Sequence, residues 1–95
     1  MTGVTAYPVQ MSSVVREGLV KANIAPEIIQ ALEQALAHAN VDGYAFSYAC
    51  GVERAYREYG IEGVHDNCVR MLINLGRWQG EEARAAKKIL KKWRL

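Results

Sequence analysis

The residues with most chemistry to offer in a short stretch are His65, Asp66 and Cys68. A thiol near a helix start and an imidazole can have a lowered pKa, which makes Cys68 a candidate nucleophile. With His38 and Cys50, the pair His65 and Cys68 would also supply the donor types of a zinc site. The surroundings complete neither idea. The spacing matches no metal motif, and no triad or oxyanion-hole pattern accompanies the thiol. A buried structural cysteine and a capping or loop histidine are the expected roles, so no catalytic residue, metal or cofactor is expected.

Other reactive groups point the same way. Glu62, Glu81 and Glu82 read as loop and first-turn charges, since nothing places two carboxylates across a cleft. The run Gly60-Ile61-Glu62-Gly63 lacks the flanking strand that a phosphate-binding glycine loop needs. The expectation is a protein that binds and does not catalyse.

Two groups of residues could carry binding. Tyr44, Tyr48 and Tyr56, with Arg54 and Arg57 beside them, could stack a nucleobase and hold a phosphate. An aromatic stripe at helical spacing also serves as ordinary packing, in the core or at an interface. The second group is Arg84, Lys87, Lys88, Lys91 and Lys92, which could neutralise phosphates of a nucleic acid. A base-reading helix uses its N-terminal residues, and here those are Glu81 and Glu82, which repel DNA. Cations in the last turns also suit the helix dipole and a solvated face.

These residues must be positioned by helices, because the apolar residues recur at three and four and nowhere alternate. Residues 1–11 contain Tyr7-Pro8 and no helical period, and are expected to form a flexible arm. Ser12 or Ser13 caps a helix to about Ala22 with Val14, Val15, Leu19 and Val20 as its apolar side, closed by Asn23. Pro26 and Glu27 start a second helix, which carries Ile28, Ile29, Leu32, Ala35, Leu36 and Ala39 on one face and stops near Asn40.

Asp42 caps a third helix over Gly43 to Tyr59, with Ala45, Ala49, Val52, Tyr56 and Tyr59 in line. Gly60 ends it. A fourth carries Val64, Cys68, Met71, Leu72, Leu75 and Trp78, and Gln79-Gly80 breaks it. A fifth starts at Glu81 and Glu82 and carries Ala83, Ala86, Ile89, Leu90 and Trp93. The expected fold is all-α: a compact bundle of four to five short helices ending in an antiparallel helical hairpin, with residues 12–95 as one domain.

Composition sets the outer bounds. At 95 residues, with 51% hydrophobic residues and two prolines, the chain suits one folded domain with a modest core. So small a core leaves self-association open as a way to bury surplus apolar surface. The net charge is +2, but residues 81–95 carry +4 and the preceding residues −2. Two unpaired cysteines, no signal-peptide pattern and no membrane-length apolar run lead us to expect a cytoplasmic protein with no membrane partner.

Residues 71–83, MLINLGRWQGEEA, continued by Lys87 and Leu90, resemble the C-terminal signature of small proteins encoded by bacteriophages and prophages. In those sequences a hydrophobic run ending in Asn-Leu meets an aromatic, a Gly-Glu turn and a helix rich in alanine and lysine. The resemblance covers about a quarter of the chain and implies no activity. It implies a mobile-element accessory protein, a class whose small folds act by binding a host or defence component. The expected partner is therefore a protein, with nucleic acid or nucleotide binding as alternatives.

Overall fold

In the computed structural model, which describes residues 8–95, the first helix begins at a serine cap. The Ser12 hydroxyl accepts a hydrogen bond from Val15 N at 3.2 Å, occupying one of the amides a helix start leaves open. This helix, α1, spans Ser13–Lys21. It closes at Asn23, whose φ of 61° is one of the few left-handed positions a non-glycine tolerates. There Asn23 N reaches Val20 O and Ile24 N reaches Leu19 O, the two bonds of a Schellman ending. Of its expected apolar side only Val15 and Leu19 are buried, while Val14 and Val20 face outward.

The second helix, α2, spans Pro26–His38 and runs into a single 3-10 turn, Ala39–Val41. Proline occupies its first turn, where the missing N–H costs nothing. Ile29, Ala31, Leu32, Ala35 and Leu36 form its buried face. Asp42 then caps the next helix by accepting from Tyr44 N at 2.8 Å and Ala45 N at 3.1 Å.

The segment expected as one helix from Gly43 to Tyr59 is two. Helix α3 is Gly43–Cys50 and α4 is Val52–Tyr59, with Gly51 between them. At the bend Gly51 N bonds Ser47 O and Tyr48 O, and the Tyr48 carbonyl also accepts from the Asn67 side chain. The apolar period survives the bend because Ala45, Ala49 and Val52 all still face the core.

A single residue, Gly60, joins α4 to α5, Ile61–Ile73, in place of the expected four-residue loop. Its φ of 70° with ψ of −150° is open only to glycine, and the sharp reversal lays α5 back along α4. Gly63 permits the close approach. A Cβ there would lie 2.3 Å from Ala55 O and 2.9 Å from Tyr59 Cβ. Tyr56 of α4 also covers Gly18 of α1, where an added Cβ would be 2.3 Å from the phenol oxygen.

Helix α5 ends at Ile73, five residues short of the expected Trp78. Leu75 and Trp78 keep the apolar spacing and are buried, yet they do so from a turn. The last helix, α6, spans Glu81–Lys91 and starts at Gly80, whose φ is 111°. The turn sends α6 back antiparallel to α5, so the end of α6 returns to the start of α5. Ala83, Ala86 and Leu90 are its buried face, which it lays chiefly against α2.

The described residues are thus an all-helical bundle of six helices, measuring 41 × 27 × 19 Å, with no strand among them. Leu19, Leu32, Leu36, Met71 and Leu75 are sealed at its centre. Burying a side chain of this size contributes about 1.5–3 kcal/mol, which is why the helices are held by this shared core more than by their own propensities. Residues 1–7 of the expected arm lie outside the described residues. Of the remainder, Val9 and Met11 are half-buried against the core. No helix among the described residues is long and apolar enough to cross a membrane.

Candidate functional site

Helix α5 carries two apolar residues on the side away from its core stripe. Val69 and Ile73, one turn apart, are 44% and 76% exposed. Beside them runs a groove of about 450 Å³ between α5 and the end of α6, lined by His65, Val69, Leu72, Ile73, Leu90, Lys91, Trp93 and Arg94. Its volume falls within the range of ligand-binding clefts. Leu90 and Trp93 are buried and Leu72 partly so, which makes an apolar floor with Val69 and Ile73 as one lip. Among the described residues no carboxylate lines it.

The groove has a latched end. His65 Nε2 lies 2.9 Å from Trp93 O, and because a carbonyl only accepts, Nε2 carries the proton. The imidazole also meets the Trp93 indole edge-on, with ring centroids 4.8 Å apart. Arg94 Nη1 donates to Lys91 O at 2.8 Å and to Trp93 O at 3.4 Å, satisfying carbonyls that the helix end leaves open. Among the described residues, Trp93 Nε1 is sealed from solvent without a hydrogen-bond partner.

The opposite end of α6 is built on the second tryptophan. His38 stacks on Trp78 at 5.0 Å and lies 3.7 Å from Glu82. Lys87 Nζ donates to Leu75 O at 2.7 Å and Trp78 O at 2.6 Å, and sits 5.8 Å from the Trp78 ring centre. Lys87, named above as a phosphate contact, therefore spends its charge on the turn between α5 and α6.

The remaining cations of that group, Arg84, Lys88, Lys91 and Lys92, are exposed, and among the described residues none pairs with a carboxylate. The members of the tyrosine group have different surroundings. Tyr44 is 73% exposed at the start of α3. Tyr48 is half-buried and interacts with Arg70, which with Asp66 raises the arginine's pKa, Asp66 having the larger effect. Tyr56 lies on Gly18. Arg54 pairs with Glu58 and Arg57 with Glu53, each one turn along α4. The Arg57 guanidinium, and after it the Ser12 hydroxyl, holds the Glu53 carboxyl below its ordinary pKa.

Cys68 is buried, and desolvation pushes its thiol up to about 12. That is the reverse of an activated thiolate. Cys50 is exposed on α3. Among the described residues no three His, Cys, Asp or Glu side chains gather as metal ligands would.

Helical spacing marks Leu72, Leu90 and Trp93 of the groove but not its exposed lip. Val69 and Ile73 lie four apart and off the stripe of Val64, Cys68, Met71 and Leu75, so an apolar pair on the solvent side of a helix was the available signal. Comparison with protein-family models, curated proteins and solved structures returns no match.

Proposed function

We propose that this chain is a small non-enzymatic binding protein, a cytoplasmic accessory factor of a phage or prophage that engages a host or defence protein. The observation that carries the reading is the groove between α5 and α6. It offers an apolar floor beside two exposed aliphatic side chains, the kind of surface that a partner covers. The site presents shape and apolar area with cations at the edge, the ingredients of recognition.

The test compares proteins retained from host extract by the wild type and by Ile73→Glu. Ile73 is largely exposed, so the substitution should leave the helical signal and melting temperature unchanged. A discrete protein held by the wild type and lost with Ile73→Glu is expected. Retention of the same proteins by both would overturn the reading.

A second reading, a nucleic-acid-binding regulator, is supported by the exposure of Arg84, Lys88, Lys91 and Lys92. It requires binding to DNA or RNA at low ionic strength that weakens steeply with salt. Nucleotide sequestration draws no comparable support, since Arg54 and Arg57 are each engaged by a glutamate of their own helix.

A further inference from the structure

We infer that the occupant of the α5–α6 groove is an amphipathic helix with acidic residues beside its apolar face. The inference rests on the protein-binding reading above and narrows it to one class of partner.

The shape selects a helix. Val69 and Ile73 are four residues apart on α5, so the exposed ledge rises about 6 Å along the helix axis. That matches the spacing between side chains one turn apart on a second helix, the i and i+4 anchors of helix-in-groove recognition. Strand addition is the main alternative for a peptide, and it needs an open sheet edge. The described residues form no strand, and the groove walls are helices whose backbone groups bond internally.

The charge selects an acidic partner. Lys91 and Arg94 stand at the edge of the groove, among the described residues no carboxylate lines it, and nearby Asp66 on α5 is paired with Arg70. The last fifteen residues, from which that wall is built, carry +4. The C-terminal carbonyls of α6 would oppose an anion, but Arg94 and His65 already donate to them. A second copy of this chain is disfavoured by the same cations. Paired about a two-fold axis, the groove would face an identical surface that carries the same cations. A nucleic acid would match the cations but would leave the apolar floor and the Val69–Ile73 ledge without a partner.

A display library of short peptides, selected on the full chain and counter-selected on Ile73→Glu, tests this directly. Enriched peptides should be net negative, with apolar residues at i, i+3 or i+4. Their affinity should fall about tenfold or more with Ile73→Glu, and comparably with Lys91→Glu plus Arg94→Glu. Replacing the peptide's acidic residues by lysine should recover binding to that charge-reversed protein. Enriched peptides that are neutral or basic yet still need Ile73 would overturn the acidic partner and leave the protein-binding reading standing. No Ile73-dependent enrichment would remove both. Duplex DNA binding lost with Lys91→Glu but kept with Ile73→Glu would replace both by the nucleic-acid reading.

Discussion

The side-chain amide of Asn67 donates to the main-chain carbonyl of Tyr48 across 2.9 Å, tying the middle of α5 to the bend between α3 and α4. At the bend the same carbonyl accepts from Gly51 N at 3.2 Å, and Asn67 supplies a second donor from another helix. Asn67 is thus part of what makes one apolar run fold as two helices.

Replacing Asn67 by Ala should lower the unfolding free energy by about 0.5–1.5 kcal/mol, because the Tyr48 carbonyl loses the shorter of its two hydrogen bonds and keeps only that from Gly51 N. Asn67→Asp should be worse near neutral pH, since a carboxylate would face a carbonyl. Urea titration of the three proteins gives the order. Equal midpoints for wild type and Asn67→Ala would show the bond to be idle.

Gly63 makes a second prediction, with a sign opposite to helix propensity. In an exposed helix interior, alanine for glycine gains about 1 kcal/mol. Here the added Cβ would fall 2.3 Å from Ala55 O, a backbone atom of α4, so the two helices would have to separate. Gly63→Ala should therefore lose roughly 1–3 kcal/mol. Gly18→Ala should lose less, because the obstructing atoms belong to the Tyr56 ring, which can swing aside. Thermal melts of both variants decide it, and a stabilised Gly63→Ala would contradict the close crossing of α4 and α5.

Cys68 contributes to the loss of stability at alkaline pH. Its thiol titrates near 9 when solvated and is pushed up to about 12 by burial. Below pH 9 both folded and unfolded states hold the proton, and stability is unaffected. Above it the unfolded state loses the proton first, so this contribution falls by about 1.4 kcal/mol per pH unit and levels off near pH 12. Stability measured against pH should decline less steeply in Cys68→Ala than in the wild type over that window. In the native protein a thiol reagent should modify exposed Cys50 quickly and Cys68 only on unfolding. Comparable rates at the two cysteines would show that Cys68 is not sealed.

Local chemistry made the helices legible in the sequence. Ser12 and Asp42 cap, Pro26 starts, Asn23 and Gly60 stop, and each acts through bonds to residues within a few positions. The 3.6-residue period then marked the buried stripes of α2 and α6, because a helix buries one side whatever it packs against. The period failed where a break preserves it. Ala49 and Val52 stay in line across Gly51, as do Met71, Leu75 and Trp78 across the end of α5, so only the bonds at those points reveal the change.

Side-chain employment was decided by the tertiary structure. In the sequence Lys87 and Lys88 are alike, but the fold brings two carbonyls of the α5–α6 turn to Lys87 and leaves Lys88 in solvent. Tyr56 and Tyr44 are likewise the same residue, one covering a glycine of another helix and the other exposed. The groove is of the same kind. Val69 and Ile73 are visible as apolar residues in any reading, but a cleft exists only because α6 settles chiefly on α2 and returns to α5 at His65 and Trp93. Sequence fixes what each residue can do within a turn or two of itself. Which partner satisfies it depends on contacts between residues far apart in the chain, and those are set by how the helices pack.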